Sequence, residues 1–173
     1  MKKTAVLKNL LERGSSLVAP GAYDALSARL ISYRGFEAVY VTGFGVSAGL
    51  LGKPDLGIVS MGEMVAHLER INNSVDLPII ADADSGFGNA LNVMRVVELY
   101  EGVGIAGLHI EDQCVPKKYQ PDGFPQVVPM DEHCDKIRAA AAARKDPDFC
   151  IIARTDSLQR YGIHEAVKRG NAY

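Results

Sequence analysis

A chain of 173 residues, with 47% apolar and 23% charged side chains, is long enough to bury one substantial core and has none of the bias of a disordered segment. A formal charge of −2, with Lys and Arg scattered, provides no basic stripe for nucleic acid, and no run approaches the roughly 18 apolar residues of a membrane span. Cys114, Cys134 and Cys150 are odd in number, lack CxxC spacing and follow no secretory signal, so they read as free thiols in a cytoplasmic protein.

A helix is predicted over Thr4 to Glu12, then a short strand at Leu17-Val18-Ala19 that stops at Pro20-Gly21. Helical period returns from Asp24, a natural cap, to Tyr33. Ala38 to Thr42 is β-branched and aromatic, hence a strand. Ser60-Met61-Gly62-Glu63 has capping-box spacing and opens a helix reaching Asn72. Pro78 to Ala81 is the third strand, followed by a helix from Ala90 to Glu101 behind a cap at Asn89. Gly107 to Ile110 is the fourth, trailed by a long polar loop, Asp112 to Val127, and an alanine-rich helix from Met130 to Arg144. Cys150 to Ala153 is the fifth, and a last helical stretch begins near His164.

Five βα units imply a parallel sheet with right-handed crossovers. Two architectures satisfy that pattern. Length favours a doubly wound domain, since a (β/α)8 barrel typically needs about 250 residues. The last residues, Asn171-Ala172-Tyr173, fall inside a helical pattern without a stop signal, which favours a truncated barrel.

Three successive strands run into acids: Asp82 and Asp84, then Glu111-Asp112, then Asp156. Two acids at i and i+2 on an extended segment share a face and can converge on one hard cation, and strand carboxyl ends are where such sheets place ligands. An isolated Asp-x-Asp is more often a solvated pair, but Glu111 at the next strand end shifts the balance toward Mg²⁺. Arg154 on a strand needs a carboxylate partner, from the protein or a substrate. Lys117 and Lys118 lie in the long loop, which reads as an active-site lid. His67, His109, His133 and His164 read as packed or helix-face residues. Gly43-Phe44-Gly45 mimics a dinucleotide fingerprint without the helix that should follow, so a loop whose free amides cradle a carboxylate or phosphate is the better reading.

Taken in order, Pro20-Gly21-Ala22-Tyr23-Asp24-Ala25, Tyr40-Val41-Thr42-Gly43, Pro54-Asp55-Leu56-Gly57, Ala81-Asp82-Ala83-Asp84-Ser85-Gly86-Phe87-Gly88, Ile110-Glu111-Asp112-Gln113 and Ala153-Arg154-Thr155-Asp156 resemble the isocitrate lyase and phosphoenolpyruvate mutase superfamily. The resemblance implies an α/β fold, a parallel (β/α)8 TIM-type barrel represented by about its first five βα units, with residues 1–173 a single, truncated domain. It implies Mg²⁺ at Asp82, Asp84 and Glu111. Tyr40, Thr42, Gly43, Phe44 and Arg154 would bind the substrate, and Asp55, Lys117, Lys118 and Arg154 would serve catalysis. It also implies a small 2-hydroxy or 2-oxo acid, or a phosphonate, as substrate, and a homo-oligomer, a tetramer in the family.

Lyases of that superfamily carry a Cys-Gly-His run in the gating loop. Tyr119-Gln120-Pro121 stands there instead. The expected activity is Mg²⁺-dependent cleavage of a C–C bond through a pyruvate-like enolate. The alternatives are chemistry at a C–P bond, as in the mutases, and a non-catalytic ligand-binding relative or fragment.

Overall fold

A computed structural model describes all 173 residues. In chain order it contains α1 (Lys3–Glu12), β1 (Gly21–Ala22), α2 (Ala25–Tyr33), β2 (Val39–Val41), α3 (Gly43–Val46) continued by a π-helical turn (Ser47–Leu51), α4 (Met61–Asn72), β3 (Ile79–Asp82), α5 (Ala90–Gly102), β4 (Gly107–Glu111), α6 (Met130–Ala143), β5 (Cys150–Arg154) and α7 (Leu158–Ala172). The predicted caps are in place: Asp24, Ser60 and Asn89 each close a capping box with the residue three places on. α7 is broken at Gly162, whose φ of 79° is non-helical.

All strands are parallel and lie in the order β1-β2-β3-β4-β5. A doubly wound sheet must reverse its order at a switch point, and this one does not; sequential order is the winding of a barrel wall. The length-based alternative therefore falls.

Period-2 alternation then sorts the side chains. Val39, Val41, Ile79, Ala81, Leu108 and Ile110 face outward into one large core with α4, α5 and α6. Tyr40, Ile80 and Cys150 face inward, where Leu7 of α1 packs against the sheet. The same inward set, followed to the carboxyl ends, contains Asp82, His109, Glu111 and Arg154, and register pairs Asp82 with His109 and Glu111 with Arg154.

Two local expectations are corrected. The first strand is not Leu17-Val18-Ala19 but Gly21–Ala22; Pro20 lacks an N–H, and the ladder begins where its carbonyl accepts from Tyr40 N at 3.0 Å. Gly43-Phe44-Gly45 is not an open loop: one helical turn starts there, because the Thr42 side chain caps Gly45 N, and the π turn ends at Gly52 in the left-handed region.

Candidate active site

The site is built on β2, β3, β4 and β5 and closed by the loop after β4. Asp82 is the most constrained member. Its Oδ2 accepts from the Tyr40 hydroxyl at 3.2 Å and Gly43 N at 3.0 Å, its Oδ1 accepts from Asp84 N at 2.8 Å, and its carbonyl accepts from the Tyr100 hydroxyl at 2.9 Å. Gly43 is required by this approach, since a Cβ there would lie 2.8 Å from Asp82 Oδ2. Two donors expected to hold substrate, Tyr40 and Gly43, are thus committed to orienting a carboxylate.

After Asp82 the chain turns sharply, with Asp84 and Phe87 at positive φ (46° and 57°) and Gly86 at 87°. Such backbone persists only where the surroundings over-determine it. Glu111 N donates to Asp84 O at 2.8 Å, and the buried Lys136 ammonium donates to Ser85 O at 3.0 Å.

Asp84 and Glu111 point into the space above Asp82. Glu111 is 1% exposed. Burial pushes its carboxyl up to about 7, against the pull of Lys117 and Arg154; burial likewise raises Asp84, helped by the charge of Asp82. Lys117 enters from the loop: its Nζ lies 2.8 Å from Asp55 Oδ2, 2.8 Å from Asp84 Oδ1 and 3.3 Å from Glu111 Oε1. Burial alone would lower this amine, but the three carboxylates hold it above the ordinary lysine range. On the other side Arg154 makes a two-pronged contact with Asp156 (2.9 and 3.0 Å) and reaches Glu111 Oε2 at 3.1 Å.

The structure thus brings together Tyr40, Gly43, Asp55, Asp82, Asp84, Glu111, Lys117 and Arg154. Thr42 sits at their edge as the α3 cap. Phe44, 62% exposed, faces an apolar groove with Tyr23 and Ala48 instead. Lys118 is not brought in: its side chain is exposed and makes no hydrogen bond or ion pair, because neighbours on an extended strap point to opposite sides. His109, read as merely packed, belongs to the site. Its Nε2 is 2.6 Å from the Tyr40 hydroxyl and the rings stack, while burial lowers its pKa. The clue was its place two residues before Glu111 on the same face.

No three His, Cys, Asp or Glu donors stand close enough as folded to share one metal ion. The donor chemistry nevertheless suits a hard cation. Asp84 Oδ1 and Glu111 Oε1 are buried, and their one polar neighbour is the Lys117 ammonium, at 2.8 and 3.3 Å. Beside the centre, Gln113, Tyr119, Arg154, Asp156 and Gln159 help line a cleft of about 380 Å³. A hollow of about 440 Å³ around Lys3, Asn72 and Asp146 lies at the opposite end of the strands and has no comparable convergence of buried charge.

The model of the phosphoenolpyruvate phosphomutase family matches residues 7–173. The chain belongs to this family. Among relatives, the 2,3-dimethylmalate lyase of Eubacterium barkeri is 48% identical over 173 residues, covering all of this chain and 60% of that protein. The chloroplastic carboxyvinyl-carboxyphosphonate phosphorylmutase of Arabidopsis thaliana is 43% identical over 168 residues, covering 95% of this chain and 50% of that protein. Among solved structures, phosphonopyruvate hydrolase with oxalate and Mg²⁺ superimposes with a TM-score of 0.92 at 39% identity, covering 100% of this chain and 59% of that one. The phosphoenolpyruvate phosphomutase family chain thus spans between half and three-fifths of the length of these relatives. Its sheet is the corresponding part of a superfamily barrel.

Proposed function

We propose that this chain carries the centre of a Mg²⁺-dependent lyase that cleaves a C–C bond of a 2-hydroxy or 2-oxo carboxylic acid and leaves a pyruvate-like enolate. The observation that carries the reading is the pair of buried carboxylate oxygens on Asp84 and Glu111 that only a lysine ammonium neighbours, close to a carboxylate, Asp82, that four neighbours hold still. Asp82, Asp84 and Glu111 would hold Mg²⁺. When bound, the ion would supply Lewis-acid stabilisation of the charge that develops on the α-oxygen.

The protein's own groups do the rest. Thr42 borders the place for the substrate carboxylate, with Tyr40 and Gly43 acting through Asp82. Arg154, already oriented by Asp156, opens onto the cleft and offers a planar cation to a second carboxylate. Asp55 stands at the rim, beside Asp84 through Lys117, where it can take a hydroxyl proton. The lid over residues 112–127 shields the enolate from water.

A second reading, chemistry at a C–P bond, is favoured by one observation: Tyr119 lines the cleft where lyases of the superfamily have a thiol. Incubation of the purified protein and Mg²⁺ with substituted malates, methylisocitrate and phosphonopyruvate separates the two. Pyruvate or a substituted pyruvate from a malate or citrate-type acid supports the lyase. Turnover of phosphonopyruvate alone, seen by ³¹P NMR, supports the second reading, and no turnover of any contradicts both.

We place residues 1–173 in one barrel domain of a cytoplasmic homo-oligomer that acts on small acids, not on nucleic acid or membranes. No helix is long and apolar enough to cross a membrane, and the exposed Leu26, Leu30 and Tyr33 on one face of α2 support contact with a second copy.

A further inference from the structure

Asp112 and Gln113 follow Glu111 directly, yet neither has a part in the chemistry described so far. Alternation turns Asp112 away from Glu111 and out of the acidic centre, and it is fully buried. Its Oδ1 accepts from Asp156 N at 2.9 Å. Its Oδ2 accepts from the Thr155 hydroxyl at 2.7 Å, the Tyr173 hydroxyl at 2.8 Å and Arg169 Nη1 at 3.1 Å. Gln113, also buried, donates from Nε2 to Asp156 Oδ2 at 2.6 Å. Two consecutive residues after β4 thus grip two consecutive residues after β5.

What they grip is the seat of Arg154. Asp156 takes Nε and Nη2 of that guanidinium, while Nη1 reaches Glu111 Oε2. The Arg154 side chain is 42% exposed, beside the cleft that Gln113, Thr155 and Asp156 also line. A long side chain left free there would have to be ordered by the substrate at an entropic cost, whereas a seated one presents its fork already ordered. An anchor for α7 alone would need only Arg169 and Tyr173; the bonds to the Thr155 hydroxyl and Asp156 N fix the segment that carries the seat. We propose that Asp112 and Gln113 are positioning residues: through Thr155 and Asp156 they hold the Arg154 guanidinium in the one orientation that meets the substrate's second carboxylate. This rests on the carboxylate-binding role given to Arg154 above and names what sets that group in place.

The test uses the whole chain, labelled with ¹⁵N at arginine, and the variants Gln113→Met, Asp112→Asn and Arg154→Lys. The Arg154 Nε–H signal is the one lost in Arg154→Lys. Gln113→Met and Asp112→Asn should each speed its exchange with water about tenfold, as a hydrogen bond of the seat is lost. Calorimetry in Mg²⁺ then compares oxalate, whose two carboxylates both chelate a metal, with malate, which carries a further carboxylate. Both variants should weaken malate about tenfold and oxalate by less than about twofold, and Arg154→Lys should show the same split, which general loss of structure does not produce. Gln113→Met leaves the Asp112–Arg169 ion pair intact, so it decides the matter if Asp112→Asn does not fold. Unchanged exchange or unchanged malate affinity in folded Gln113→Met, or equal losses for both probes, overturns the positioning role. Oxalate binding without malate binding, or malate binding that Arg154→Lys leaves intact, overturns the role of Arg154 and the proposal with it, while the metal reading stands. If the parent binds neither probe, the metal reading and the proposal fall together.

Discussion

The floor of the site and the strap above it are held by different means. On the floor, Asp82 is fixed by the Tyr40 hydroxyl and two backbone amides, Asp84 sits at positive φ, and Lys136 pins the turn from beneath through Ser85 O. Asp112 and Gln113 anchor the start of the strap to Thr155, Asp156, Arg169 and Tyr173, whereas from Cys114 to Gln126 it has its own internal hydrogen bonds, one buried ammonium and one exposed ion pair. The first arrangement is over-determined, with several independent contacts fixing the same carboxylate and turn. The second, past its anchor at Asp112 and Gln113, is held to the body by charge pairs of Lys117 and Asp122. A site that must exclude water during reaction and admit substrate before it needs both.

The contrast can be broken most severely at Gly86. Its φ of 87° and the stiff Val93 side chain facing it leave no room for a methyl group. Gly86→Ala should destabilise the fold by about 3 kcal/mol in denaturant unfolding, from backbone strain and overpacking together. A loss below about 1 kcal/mol would show that the turn is not over-determined.

The pH dependence of the metal-free protein is next. Glu111 has an ordinary value of 4.5 and is pushed up to about 7 by burial, so the folded state binds the extra proton between those values. Its contribution to stability is complete below about 4.5 and lost as pH rises through about 7, a change of about 3 kcal/mol for a shift of this size. Asp84 is raised in the same direction. Glu111→Gln should flatten the decline in melting temperature between pH 5 and 7 (about the span of the shift). An unchanged slope would assign the decline to other groups. For the same reason Mg²⁺ should bind more tightly as pH rises across this range.

Smaller effects sharpen the difference. Tyr100→Phe removes a buried hydrogen bond to the Asp82 carbonyl and should reduce stability by about 1–2 kcal/mol in chemical denaturation. Arg160→Ala breaks the strap's outer ion pair and should change stability by less than about 1 kcal/mol, detectable in the rate of proteolysis within 118–126 rather than in the melt.

Much of this was legible from the residues. The capping box at Ser60, the cap at Asn89 and acids at successive strand ends marked the βα units and the site, because cap chemistry and period-2 alternation act over a few residues. The choice between a wound sheet and a barrel was not legible from length, since it depends on strand order. Lys118 could not be separated from Lys117 by type or neighbourhood; only the path of the strap decides which one points inward. Lys136 looked like any charge on an alanine-rich helix, and its burial follows from how α6 meets the turn at Ser85. His109 and Tyr40 met through register, which single-strand patterns do not reveal.

The most direct test of the central claim is a thermal melt with Mg²⁺ and oxalate, a mimic of the pyruvate enolate, added separately and together to this protein and to Glu111→Gln. If the strand-end carboxylates form an enolate-binding metal centre, the two ligands together should raise the melting temperature by more than the sum of their separate effects, and the variant should lose that excess. Equal, additive shifts in both proteins, or no shift in a protein shown to be folded, would contradict it.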